Sequence, residues 1–191
     1  MNTPLETPDE IRRRIWQELG RASLDRHHAW RTPVLATAAD DGGVDARTVV
    51  LRSADAALTT LAFYTDQRSR KVADIAQRPD AMLVFWCNRL HWQLRVRARV
   101  SAQTSGPEVD ALWQRVRQSP SAGDYLSPVA PGTPRADAHG MPQPASNLSH
   151  FTVLTAKVTE IDWLELGRSG HRRARMLTDA SLPGAWEWLT P

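Results

Sequence analysis

Leu90-His91-Trp92-Gln93-Leu94-Arg95-Val96-Arg97-Ala98-Arg99-Val100-Ser101-Ala102 alternates apolar and polar side chains without a break. Successive residues of a strand point to opposite faces, so period two over this length specifies one long strand with an apolar face. Its other face carries Gln93, Arg95, Arg97 and Arg99. Such a strand needs partners on both edges, and the flanking sequence supplies them. Residues 33–39 and 44–52 read as two strands joined by the turn Asp40-Asp41-Gly42-Gly43. Residues 58–65 read as another, and residues 151–166 return to strand character. The apolar run at residues 81–87 predicts a strand buried on both faces, and residues 185–189 a last short one.

Helical signals are fewer. Thr7-Pro8-Asp9-Glu10 combines a capping hydroxyl, a proline at the first helical position and a glutamate three residues after the cap. Ile11, Ile15, Trp16, Leu19 and Ala22 then follow at helical spacing, so a helix occupies the segment 1–28. Residues 70–77 predict a short helix ended by Pro79. Gly106-Pro107-Glu108 opens a third, with Val109, Leu112, Trp113 and Val116 as its stripe. Residues 119–149 hold six of the 13 prolines and read as a long loop within the domain, suited to a lid. The stretch after Gly167 is dense in arginine. Strands outnumber helical crossovers, so the expected fold is mainly β: an antiparallel, nearly closed barrel of about six strands with flanking helices.

The 191 residues form one domain by this reading, and 41% hydrophobic content supports a core without staples. Cys87 is the only cysteine, which excludes an intrachain disulfide and a thiolate zinc site; the six histidines share no ligand spacing, so no metal is expected. No run approaches the length of a membrane helix, and the opening residues lack a secretory pattern, so a cytoplasmic location with no membrane partner is the expectation. A net charge of +3 gives no support to a nucleic-acid partner. Lys71 and Lys157 are the only lysines among 24 basic residues.

Phosphate-loop, HExxH and Gly-x-Ser-x-Gly motifs are all missing. Three other segments place cations and hydroxyls at strand ends: Arg47-Thr48-Val49-Val50-Leu51-Arg52, then Tyr64-Thr65-Asp66-Gln67-Arg68-Ser69-Arg70-Lys71, then Gln93 with Arg95. A helix start bearing Ser69, Arg70 and Lys71 suits a phosphate, because free amides and cations converge there.

In order and spacing these segments resemble the pyridoxamine 5′-phosphate oxidase family of FMN-binding split β-barrels. That family runs Arg-x-Val-Leu-Leu-Lys, then Phe-Tyr-Thr-Asn with Ser-Arg-Lys following, then an Arg-Gln-Val-Arg strand. Here stand residues 47–52, Phe63-Tyr64-Thr65-Asp66 with Ser69-Arg70-Lys71, and Trp92-Gln93-Leu94-Arg95. Trp163 and His171-Arg172-Arg173 resemble the family's Trp followed by His-Asp-Arg. The resemblance covers about residues 30–175.

The resemblance implies FMN as cofactor. Arg47, Thr65, Ser69, Arg70 and Lys71 would serve its phosphate, with Tyr64 in the same segment. Arg47, Thr48, Val49, Val50, Leu51 and Arg52 would line its ring, with Gln93 at the pyrimidine edge. Trp163 and Arg173 would reach it from the neighbouring subunit of a homodimer whose flavin sites lie at the interface. His171 and Arg173 become candidates for substrate contact or proton handling. Arg52, Arg117 and Ser121 become candidates for a substrate phosphate.

Departures bear on the substrate. Arg52 replaces the family's Lys, Trp113 replaces its Tyr, and Ala130-Pro131 stands where it has Gln-Ser. Ser169-Gly170-His171 replaces Arg-Leu-His. The expected function is an FMN-dependent oxidoreductase of a small-molecule substrate; pyridoxamine 5′-phosphate oxidase itself and a non-catalytic flavin-binding protein are the alternatives.

Overall fold

A computed structural model describes residues 7–135, 148–178 and 185–191. The long alternating segment forms β6, Trp92–Gln103, and it lies near the middle of one antiparallel sheet. The other strands are β1 (Val34–Ala38), β2 (Val44–Thr48), β3 (Leu51–Asp55), β4 (Thr60–Asp66), β5 (Asp80–Cys87), β7 (Phe151–Glu165), β8 (Arg172–Leu177) and β9 (Trp186–Leu189). They run in the order β2-β1-β5-β6-β7-β4-β3, and β8 pairs with both β7 and β9.

Residues from both ends of that order meet in one core. Leu35 of β1 and Leu51 of β3 share it with Leu83, Phe85, Leu94, Val96 and Leu154, so the sheet curls round a common interior. Burial of that interior is the chief driving force for the curl. Helix α1, Pro8–Leu24, packs against β3 with Ile11, Ile15 and Leu19 inward. Its capping box forms as the sequence predicts: Glu10 N–H donates to the Thr7 hydroxyl at 3.3 Å, and Thr7 N–H to the Glu10 carboxylate at 3.0 Å. Helix α2 is Arg70–Gln77 and α3 is Pro107–Val116.

The main fold is the expected antiparallel, mainly β arrangement, with four local differences. Residues 44–52 are not one strand: β2 pairs with β1, and the chain breaks at Val49 and Val50 before β3 pairs with β4. Both hydrophobic requirements are met this way, because Val49 and Leu51 each reach the core. The arginine-dense stretch is strand β8, whose Ala174 and Met176 are buried while Arg173 and Arg175 face outward. These two features raise the count to nine strands among the described residues. Strand β5 is not buried on both faces; Leu83, Phe85 and Cys87 are inside, but Trp86 is 43% exposed. Within the Pro-rich segment, Pro120–Tyr125 is a short 3-10 turn. Residues 136–147, the rest of the expected lid, lie outside the described residues.

Candidate functional site: a cation and hydroxyl cluster at the start of α2

Strand β4 ends at Asp66, and the chain turns directly into α2 with Ser69 as N-cap. The Ser69 hydroxyl donates to the Asp66 carbonyl at 2.8 Å and lies 3.3 Å from the Thr65 hydroxyl. Lys71 Nζ donates to Thr65 Oγ1 at 3.0 Å. Burial pushes the Lys71 amine below its ordinary pKa, and the charge of Arg47 adds to that shift. Two cations, Arg47 of β2 and Lys71 of α2, are therefore held close enough for their charges to repel.

Arg47 reaches this place from β2. One Nη donates to Thr37 Oγ1 at 2.8 Å, and the other pairs with Asp45 and lies 3.7 Å from Asp74 Oδ2. Thr37 in turn donates to Asp74 at 3.1 Å, and Arg70 Nε stands 4.0 Å from the other Asp74 oxygen. Asp74 is 1% exposed, so this carboxylate sits beneath the cluster and orients Arg47 and Arg70 from below. The hydrogen bond from Arg47, and then its charge, holds the Asp45 carboxyl below its usual range.

Five residues expected from sequence, Arg47, Thr65, Ser69, Arg70 and Lys71, are thus brought together. Thr37, Asp45 and Asp74 belong to the same network and were not expected. Asp74 follows Arg70 by one helical turn, a spacing that signals contact; Thr37 left no signal.

Gln93 lies on the outward face of β6 in a cross-strand row: Trp86, Gln93, Leu164 and Arg173 are successive partners. Arg173 is therefore two strands from Gln93 in its own chain. Its guanidinium donates to Asp162 at 3.0 and 2.8 Å, and Arg95 pairs with the same carboxylate. Burial opposes the charge on Asp162, but the hydrogen bonds from Arg173 and Arg95 outweigh it and hold the carboxyl below its ordinary pKa. His171 is exposed just before β8.

Trp163 corrects an expectation. It faces the opposite side of β7 from Leu164 and is fully buried, with Trp92 at 5.3 Å and Trp188 at 6.5 Å between ring centroids. A side chain closed inside its own core does not reach a neighbouring subunit's flavin. The expected ring-lining segment is also narrower than its six residues. The Val49 and Leu51 side chains are buried in the core, so their backbone alone could face a ligand, whereas Thr48 is exposed and Val50 half-buried.

Arg52 lies elsewhere, over the ring of Tyr64 at 5.3 Å. Arg117 donates to Gln114 at 3.3 Å, and Ser121 shares a 3.0 Å hydrogen bond with Ser119. No contact joins either of them to Arg52 among the described residues.

A curled antiparallel sheet with two arginines, a desolvated lysine and paired hydroxyls at a helix start offers a donor set suited to a phosphorylated ligand. Comparison with known proteins narrows that class. Residues 13–104 match the family model described as "Pyridoxamine 5'-phosphate oxidase, FMN-binding domain". Pyridoxine/pyridoxamine 5'-phosphate oxidase of Anaeromyxobacter dehalogenans is 37% identical over 124 residues, 65% of this chain and 61% of that protein. The Myxococcus xanthus enzyme of the same name is 37% identical over 94 residues, 49% of this chain and 44% of its own length. The matched stretches thus span about half the length of these relatives.

Two solved structures share the fold over nearly the whole chain. A pyridoxamine 5'-phosphate oxidase-related, FMN binding protein from Nostoc punctiforme superposes with a TM-score of 0.72 at 22% identity, covering 98% of this chain and 100% of that one. PhzG from Burkholderia lata, solved with tetrahydrophenazine-1-carboxylic acid, gives 0.71 at 20% identity, covering 98% and 94%. Residues 13–104 are thus similar to the FMN-binding domain of the pyridoxamine 5′-phosphate oxidase family, and the likeness to the two solved structures shows the shared fold.

Proposed function

We propose that the protein is an FMN-dependent oxidoreductase that acts on an anionic small molecule as a homodimer. The observation that carries this reading is the convergence of Arg47, Lys71, Arg70, Thr65 and Ser69 at the β4–α2 junction. The donor set fits the phosphate of FMN: guanidinium forks, one ammonium and two hydroxyls suit the oxygens of a dianion. Bound FMN supplies the electron acceptance that no protein side chain offers.

The chain's own residues do the rest. Asp74 and Thr37 fix Arg47 so that its charge faces the phosphate. Gln93 offers both a donor and an acceptor to the pyrimidine edge. Arg173, anchored on Asp162, presents a positive charge on the same sheet face, and exposed His171 stands at the start of β8 for substrate contact or proton handling. That face also exposes Trp86 and Val34, at 43% and 38%, which favours a second copy covering it and Arg173 serving the neighbour's site. The separate hydrogen bonds of Arg117 and Ser121 favour a substrate other than pyridoxamine phosphate.

The test is to add FMN to the purified protein, desalt it and record the absorbance spectrum and the mass in solution. About one retained flavin per chain in a dimer is expected, followed by reduction of the flavin by an anionic substrate but not by pyridoxamine phosphate. Loss of all flavin on desalting, with the fold intact, would sink the cofactor reading. A monomer that keeps its flavin would sink the dimer.

A further inference from the structure

Arg47 has two carboxylates beside it, and they are not equivalent. Asp74 lies beneath, its side chain wholly buried, 3.7 Å from one Nη. Asp45 pairs with that same Nη from the open side, with 42% of its side chain exposed. The two residues stand two apart on β2, so their side chains share one face of the strand, opposite Thr37 and Leu35 of β1.

The charge of Asp45 is felt by Arg70 and by Lys71 as well as by Arg47. It is therefore an exposed anion among the three cations that a phosphate would meet. Asp66 also acts on Lys71, but it is buried and committed to Arg68, at 3.0 and 2.6 Å. If Asp45 swings away, Arg47 keeps its 2.8 Å bond to Thr37 and its place above Asp74. Arg47 can thus exchange one anion for another without moving. A carboxylate this exposed can turn to water at small cost, because surface ion pairs are weak.

We propose that Asp45 is an internal stand-in for the ligand's phosphate: it pairs with Arg47 when no phosphate is bound, competes with the phosphate for the same cations, and so sets how tightly the cofactor is held. The proposal rests on the reading of the β4–α2 junction as the seat of the FMN phosphate. It makes the flavin of this protein more readily exchanged than the cation set alone would allow. Asp74 and Asp45 then have opposite effects on the same guanidinium: one orients it for the ligand, and the other contests it.

The test compares wild type, Asp45→Asn and Asp45→Glu as full chains at one ionic strength. Quenching of flavin fluorescence reads FMN and riboflavin, which share a ring but not a phosphate, and calorimetry reads inorganic phosphate. Asp45→Asn is expected to bind FMN and inorganic phosphate about fivefold more tightly and riboflavin as wild type does. Asp45→Glu keeps the charge and is expected to stay within about twofold of wild type for all three. FMN held no more tightly by Asp45→Asn, or a gain for riboflavin equal to that for FMN, overturns the proposal. Failure of the cofactor reading looks different: no protein binds FMN, yet Asp45→Asn still gains for inorganic phosphate, which leaves Asp45 as the competitor and removes the flavin. Binding of neither FMN nor phosphate by any of the three overturns both.

Discussion

Asp162 receives both Nε and Nη2 of Arg173, at 3.0 and 2.8 Å, while Arg95 closes on the same carboxylate from the next strand. One acidic side chain from β7 thus ties β6 to β8 on the face that carries Gln93. Its removal leaves two guanidiniums side by side with no anion between them. Asp162→Asn is expected to cost about 2 kcal/mol of stability, since Arg95 and Arg173 are partly exposed. Urea denaturation at neutral pH measures it, and a loss below about 0.5 kcal/mol would show the network to be inert.

The pH dependence of that cost has a defined sign. The Asp162 pKa is depressed in the folded protein, so its contribution is complete above the unfolded value near 4 and is lost as pH falls through the folded value. The stability gap between wild type and Asp162→Asn is expected to close as the medium is acidified below about pH 4. A gap unchanged down to full protonation would rule out the charge as its origin.

Glu18 presents a more extreme case. Its carboxylate is completely buried, yet His28, Arg89, Arg14 and Arg21 all reach it, at 2.9, 2.8, 2.8 and 3.0 Å. His28 Nδ1 accepts from Trp30 N–H, so Nε2 carries the proton given to Glu18. The hub fastens α1 to the turn after β5. Glu18→Gln keeps the shape and removes the charge, and is expected to lower stability by about 3 kcal/mol, read as a fall in the thermal midpoint.

Lys71 makes a chemical prediction. Burial and the adjacent Arg47 lower its pKa, so a larger fraction of this amine is neutral at pH 8–9 than for an ordinary lysine. An amine-acylating reagent followed by peptide mass mapping should label Lys71 ahead of Lys157. Added FMN, or inorganic phosphate at high concentration, should suppress that labelling. The shift also costs stability at neutral pH, and the cost diminishes as pH rises through the folded value towards the unfolded one. Equal labelling of the two lysines would contradict the geometry.

Arg47 and Asp74 separate contact from orientation. Arg47→Ala removes a proposed phosphate ligand and is expected to weaken FMN about 100-fold, measured by quenching of flavin fluorescence. Asp74→Asn leaves every ligand in place but frees Arg47 and Arg70 from below, with an expected loss of about tenfold. An Asp74→Asn protein that binds FMN as well as wild type would mean that Thr37 alone suffices to orient Arg47.

Much of the fold was legible because its signals are local. The alternation at residues 90–102 became β6, the capping box became the start of α1, and the helix expected at residues 70–77 is α2 at Arg70–Gln77. The cation and hydroxyl cluster was partly legible for the same reason, since Thr65, Ser69, Arg70 and Lys71 lie close together in the chain. Its other half was not. Thr37 meets Asp74 across 37 residues, just as, in the separate network on the Gln93 face, Arg95 meets Asp162 across 67.

Which segments alternate, where helices begin and which stretch collects cations can be read from the residues alone. Those properties arise from side-chain period and local hydrogen bonding, and they survive in any tertiary context. Which face of each strand is interior, and which side chains from distant strands converge, depends on the assembled fold. Period two separates Trp163 from Leu164 but does not say which of them is buried. The register of β7 against β6 and β8 settles it, placing Trp163 between Leu94 and Ala174 in the core and Leu164 between Gln93 and Arg173 outside. Register is a collective property, chosen by packing the whole interior at once, and no single segment contains it.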